Sequence, residues 1–336
     1  MVLKTLFKRI KKEYNFKTLQ LNDIYQFFIQ QGLVEDLRNK KQISDYLLSL
    51  KKKYRSLKSL EKKFFDKEDL SNPYADTRIL HGNLRRPIKT ILVGIDIGVG
   101  ELLLVERLAK KGRPIDLVIS HHPLGVGSAG LGDVMHLQAA LLENLGLDKK
   151  IAEELMQKRI DEVDHSVHGE NHFRTVDVAR MLNIPLMCCH TPADNHVARY
   201  LQNLMDKQKP ATLKKVVELL LKEPEYKMAA FSKAGPKIIA GKPEDKAGKI
   251  VLDMTGGTEG SKEVLARLSQ AGVKTLVGMH MSENYLKQVK NEYLQVVIAG
   301  HIASDNLGLN LLFDKLEKKI HKLEILECSG FRRVRR

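Results

Sequence analysis

From residue 90 onward, two periods of apolar and polar positions alternate along the chain. Short apolar runs of strand length lie at 91–97, 117–119, 184–189, 250–254, 275–277, 294–299 and 323–326. Between them the spacing is helical, at 101–111, from the end of a glycine-rich loop (125–132) to about 182, from 192 to 205, and at 213–222, 261–270, 284–290 and 307–319. Alternating strands and helices predict an α/β fold with a parallel or mixed sheet and helices packed on it. The first 70 residues have a different texture. Ile24, Phe27 and Phe28 carry helix spacing, and Ile43, Leu47, Leu50, Tyr54, Leu57, Leu60 and Phe64 recur at steps of three and four with lysines between them. Three heptads are the lower limit of a coiled coil, so this seam packs onto the body or a second subunit as readily as it zips. Ser71-Asn72-Pro73 breaks the pattern, and 71–89 reads as a basic linker. The predicted division is a basic helical N-terminal extension (1–87), a first α/β lobe (88–206) and a second (207–336).

Composition narrows the classes. The 336 residues are 43% hydrophobic, which excludes wholesale disorder, and no apolar run approaches the length that spans a bilayer. Residues 1–16 lack the apolar core of a signal peptide, so the expected location is cytoplasmic and no membrane partner is expected. Cys188, Cys189 and Cys328 make no disulfide framework and no Cys-x-x-Cys pair, so they read as reduced core residues. The net charge of +15 is uneven: residues 1–87 hold 20 Lys+Arg against 10 Asp+Glu, leaving 36 against 31 for the rest. Such a segment attracts nucleic acid, an acidic partner or anionic phosphates, or is a solvated lysine-rich face.

The chemistry gathers at strand ends, where open parallel sheets present their ligand sites. The first run ends in Ser-His-His-Pro, placing His121 and His122 there. A later one ends in His190-Thr-Pro-Ala-Asp194, and another in Gly300-His301-Ile-Ala-Ser-Asp305. Successive side chains of extended backbone point opposite ways, so adjacent histidines serve one site if the chain turns or if two neighbouring ions are bound. Histidine with carboxylate suits Zn, Fe, Mn, Co or Ni, and the five or six ligands exceed what one open catalytic ion needs. Two divalent ions roughly 3.5–4 Å apart, bridged by a carboxylate, use them naturally. A further group, His165, His168 and His172, shares a face if its helix is continuous, and reads either as extra acid/base groups or as a polar helix face. The glycines at 94, 98 and 100 lack the spacing of a nucleotide-binding loop.

These motifs, in this order and spacing, resemble the type 2 GTP cyclohydrolase I family, also called the Ngg-interacting factor three-like family. The matching stretches are Ser120 to Pro123, His190 to Asp194, Gly256 to Gly260 and Gly300 to Asp305, within 89–327. The resemblance implies a two-lobed fold with a dinuclear metal site between the lobes and a toroidal homo-hexamer. It makes His121, His122, Asp194, His301 and Asp305 the metal ligands and His190 the residue that orients a ligand or moves a proton. Asp305 stands where the family has glutamate, one methylene longer. The implied function is metal-dependent hydrolysis of a nucleotide or related phosphorylated heterocycle. The competing reading is a metal-containing scaffold or nucleic-acid-binding protein acting through the N-terminal lysines, or one that stores or delivers metal.

Overall fold

The computed structural model describes residues 18–320 and 322–336, so the reading of residues 1–16 lies outside it. The described residues begin with two helices, α1 (Leu21–Glu35) and α2 (Lys40–Ser56). The first sheet comprises β1 (Arg78–His81), β2 (Thr90–Gly94), β3 (Leu117–Ser120), β4 (Leu186–Cys188) and a final strand, Glu324–Cys328, in the order β1, β4, β3, β2, final strand. All neighbours are parallel except β1 against β4. Helix α3 (Val99–Lys110) follows β2, and α4 (His136–Asn144) and α5 (Lys149–His168) lie between β3 and β4. After β4 comes α6 (Thr191–Gln208), then a two-turn helix over Leu213–Leu220, and then α7 (Pro224–Phe231), which Pro224 starts. Proline suits that first turn because its missing N–H would have no partner there. The second sheet holds β5 (Lys237–Ala240), β6 (Lys249–Asp253), β7 (Val273–Gly278) and β8 (Gln295–Ile298), in the order β5, β8, β7, β6, with β5 antiparallel. Helix α8 (His301–Glu317) follows β8, and the final strand, β9 (Glu324–Cys328), crosses back to pair with β2.

Helices α6 and α8 form a layer shared by the two sheets. Ala193, Leu309, Leu312, Phe313 and Leu316 pack with α1 against the first sheet. From the same two helices, Val197, Leu201, Met205, Ala303 and Leu307 enter the core of the second. The first eight residues of α6 are all buried, although Thr191, Asp194, Asn195 and His196 among them are polar. At the contact, a Cβ on Gly308 would lie 2.4 Å from the carbonyl oxygen of Ala193, so only glycine allows this approach. The layer sets one end of α6 beside one end of α8.

Two expectations about residues 40–89 change. The seam is not one helix: α2 stops at Leu57, in extended backbone, and Ser59–Phe64 is a separate short helix. Ile43 and Leu47 are buried on the body, whereas Leu60 and Phe64 are exposed. The stretch 71–89 is not a linker. It contains β1, and Tyr74, Asp76, Thr77 and Arg78 are buried.

Candidate metal centre

β3 runs straight into the site. The backbone N–H groups of His121 and His122 donate to the carbonyls of Gly94 and Ile95, each at 2.9 Å, which holds the pair in register beyond the strand end. His121 is fully buried, and its Nδ1 lies 3.1 Å from the Cys189 carbonyl. A carbonyl only accepts, so Nδ1 carries a proton and the ring turns its Nε2 inward. His122 does the same through a carboxylate, Asp96, at 2.6 Å from its Nδ1. Anchoring one ring nitrogen so that the other is presented is how proteins orient histidine ligands.

What those nitrogens face is the carboxylate of Asp305. His121 Nε2 lies 3.4 Å from Asp305 Oδ1 and 3.5 Å from Asp194 Oδ1. On the other side, Asp305 Oδ2 lies 3.5 Å from His122 Nε2 and 3.6 Å from His301 Nε2. Four of these atoms, His121 Nε2, Asp194 Oδ1 and both oxygens of Asp305, are buried and have no hydrogen-bond partner. Buried polar atoms are nearly always paired, because leaving one unpaired costs about 1–3 kcal/mol. Four such atoms gathered around Asp305 make a donor set that could hold a cation, since imidazole nitrogens and carboxylates suit a first-row divalent metal. His121 with Asp194 and Asp305, His122 with His301 and Asp305, and His121 with His122 and His190 each place ligand atoms within 4.8 Å of one another, so these clusters could hold a metal ion.

His190 caps α6, with Pro192 in the helix's first turn. Its Nδ1 donates to Asp76 Oδ2 at 2.8 Å, and Thr191 Oγ1 donates to the same oxygen at 2.6 Å. The free Nε2 points at Asp194 Oδ2, 3.6 Å away.

No family model and no curated protein matches the chain. Among solved structures, a NIF3 superfamily protein from Sphaerobacter thermophilus superposes with a TM-score of 0.67 at 25% identity, covering 78% of this chain and 94% of that one. The chain has the NIF3 superfamily fold. Reduced HcgD from Methanocaldococcus jannaschii aligns at 15% identity and TM-score 0.48, over 80% of this chain and 94% of that one. A Bacillus cereus protein related to NIF3 aligns at 13% and 0.41, over 80% and 94%. The family resemblance carried by the histidine motifs therefore holds at the level of fold.

The electrostatics of this centre follow from burial set against close partners. Burial opposes charge on Asp305, but the surrounding His121, His122 and His301 hold its carboxyl well below the usual carboxylate range. Burial pushes Asp194 up to about 6 against the pull of His190 and His121. Asp194 stands in the first turn of α6, where the helix end favours an ionised carboxylate, but desolvation outweighs that help. For His190 burial is overcome by Asp194 and Asp76, which raise it to about 9, whereas burial takes His301 down to about 4 although Asp305 opposes it.

The histidines of α5 and the loop after it are apart from the cluster. Helix α5 ends at His168 with Gly169 as its cap, so His165 and His168 are exposed near its end and His172 lies beyond it, 3.2 Å from Ser128 Oγ. Cys188 and Cys189 are core residues, and burial pushes the Cys188 thiol up to about 11. Four side chains at or beside the site carried no sequence expectation: Asp76, Asp96, Asp253 and His280. Three of them obey the strand-end rule, since Asp96 follows β2, Asp253 ends β6 and His280 follows β7, its ring 4.7 Å from that of His301. Among the described residues, no helix is long and apolar enough to cross a membrane.

Proposed function

We propose that the chain is a dinuclear metal-dependent hydrolase acting on a nucleotide or related phosphorylated heterocycle. The observation that carries this reading is the unpartnered carboxylate of Asp305, with one oxygen toward His121 and the other toward His122 and His301. In this reading His121, Asp194 and Asp305 hold one cation, and His122, His301 and Asp305 hold the other. Such a pair, when bound, supplies Lewis acidity and an acidified water.

The remaining roles belong to the chain. Asp76 locks His190 in the orientation that presents Nε2 to the cleft, where it delivers a proton to a leaving nitrogen. Asp96 and the Cys189 carbonyl fix the two adjacent rings so that neither rotates away from the centre. The homo-oligomer, a hexamer in the resembling family, belongs to the same proposal and is read by light scattering on the eluted protein.

The test is turnover of GTP by protein stripped with chelator and reloaded with Zn, Fe, Mn, Co or Ni. Activity returns with metal in the wild type and is lost by about a hundredfold or more in His122→Ala, as expected for a site that needs both ions. Full turnover by His122→Ala, or turnover indifferent to chelator, removes the hydrolase reading.

A further inference from the structure

Beside the metal cluster, a cleft opens between the ends of β6, β7 and β8. His190, Asp194 and His301 form its inner wall. Met254, Met279, Met281 and Tyr285 supply apolar surface, and no lysine or arginine lines it among the described residues. Polarisable thioethers make favourable contacts with flat aromatic rings. Polar and apolar surface share its wall about equally, so the polar groups decide what is recognised there.

The placed groups accept hydrogen bonds. Glu259 is already held, its two oxygens taking the Ser282 N–H at 2.8 Å and the Ser282 hydroxyl at 2.6 Å. Asp253 is not held. It ends β6, lies partly buried in the cleft wall, and its carboxylate makes no hydrogen bond or ion pair among the described residues. The loop behind it is rigid: Gly256 and Gly257 take φ of +99° and +90°, and Gln138 of α4 donates to the carbonyls of Gly256 and Thr258 at 2.9 and 2.6 Å. An open carboxylate on a pinned loop, in a wall that no lysine or arginine lines among the described residues, accepts from N–H donors and disfavours a phosphate placed beside it.

We propose that this cleft seats the ring of the substrate, a planar nitrogen heterocycle with adjacent N–H donors, that Asp253 is the acceptor for them, and that any phosphate stays outside. This rests on reading the centre as hydrolytic, and it places the ring against His190 and the cluster. Asp253 is then a specificity residue, because a site built to pair donors rejects the analogue that lacks one.

The experiment is calorimetric titration of the full-length, metal-loaded chain with guanosine, whose ring N–H stands beside an amino group, and with inosine, which lacks that amino group. Guanosine is expected to bind at least about tenfold more tightly than inosine. Asp253→Asn removes that preference and weakens guanosine by about the same factor, with metal content unchanged by elemental analysis. Equal affinities in the wild type overturn the proposal whether or not the variant folds, and so does a preference that survives Asp253→Asn. Binding of GTP but not of guanosine also overturns it. Guanosine binding that depends on Asp253 without turnover of GTP upholds the subsite and removes the hydrolase reading; turnover unaffected by Asp253→Asn does the reverse.

Discussion

Replacing Asp96 by alanine separates one proposed ion from the other. Asp96 touches the centre only through His122, whose Nδ1 lies 2.6 Å from its carboxylate. Loss of a residue that orients a metal ligand costs about 10- to 100-fold in affinity. The side chains of His122 and Asp96 are 26% and 69% exposed, so water replaces part of the lost contact and the effect falls at the lower end. That is about tenfold, or roughly 1.4 kcal/mol. His121 is insulated from the change, because it is fully buried and anchored on the Cys189 carbonyl. Stepwise Zn titration against a chromophoric competitor should therefore show two steps in the wild type. In Asp96→Ala one step weakens by about tenfold and the other is unchanged. Asp96→Asn, which keeps an oxygen that can accept from Nδ1, should lose less. A single binding step in the wild type, or two steps that weaken together in Asp96→Ala, contradicts the assignment of His121 and His122 to different ions.

Two further substitutions probe the scaffold. Gly308→Ala forces a methyl to within 2.4 Å of the Ala193 carbonyl oxygen, so α8 must move off α6. Unfolding in urea should show a loss of about 1–3 kcal/mol, and Zn affinity should fall with it because Asp194 and Asp305 ride on those helices; wild-type affinity would show the packing to be irrelevant to the centre. Arg333, 3% exposed, pairs with Asp314 and, at 2.8 Å, with Glu317, tying the last residues to α8. Arg333→Ala leaves the buried Asp314 carboxylate with only the Arg336 N–H at 3.2 Å and should cost about 3 kcal/mol in the same urea assay with metal stoichiometry intact; a change below about 1 kcal/mol would show that the pair is solvent-compensated.

The parts of the centre legible in the sequence share one physical signature, a histidine or carboxylate just past a short apolar run. His121 and His122 after β3, His190 and Asp194 after β4, and His301 and Asp305 after β8 all stand out that way. Asp96 and Asp253 carry the same signature without a histidine beside them, and a carboxylate at a strand end is too common to single out. Asp76 was hidden for a different reason. It precedes a four-residue edge strand in a stretch rich in proline, asparagine and arginine, and its burial comes from the pairing of β1 with the distant β4. Pairing between remote segments leaves little local trace. The seam from Ile43 to Phe64 shows the converse error, in which periodicity continued after tertiary packing had stopped, leaving Phe64 82% exposed.

Asp305 has less reach than a glutamate, its side chain being one methylene shorter, and the backbone around it makes up the distance. α8 meets α6 at Gly308 with no side chain between them, which lets the first turns of the two helices close on the histidine pair. With that approach the short carboxylate reaches both sides, its oxygens 3.4 to 3.6 Å from His121, His122 and His301. The site is thus assembled by the helical layer that joins the two sheets: β3 supplies one edge, α6 and α8 the others. A change in packing deep in that layer is felt at the centre before any ligand is touched, and for this reason Gly308 and Asp305 have to be read together.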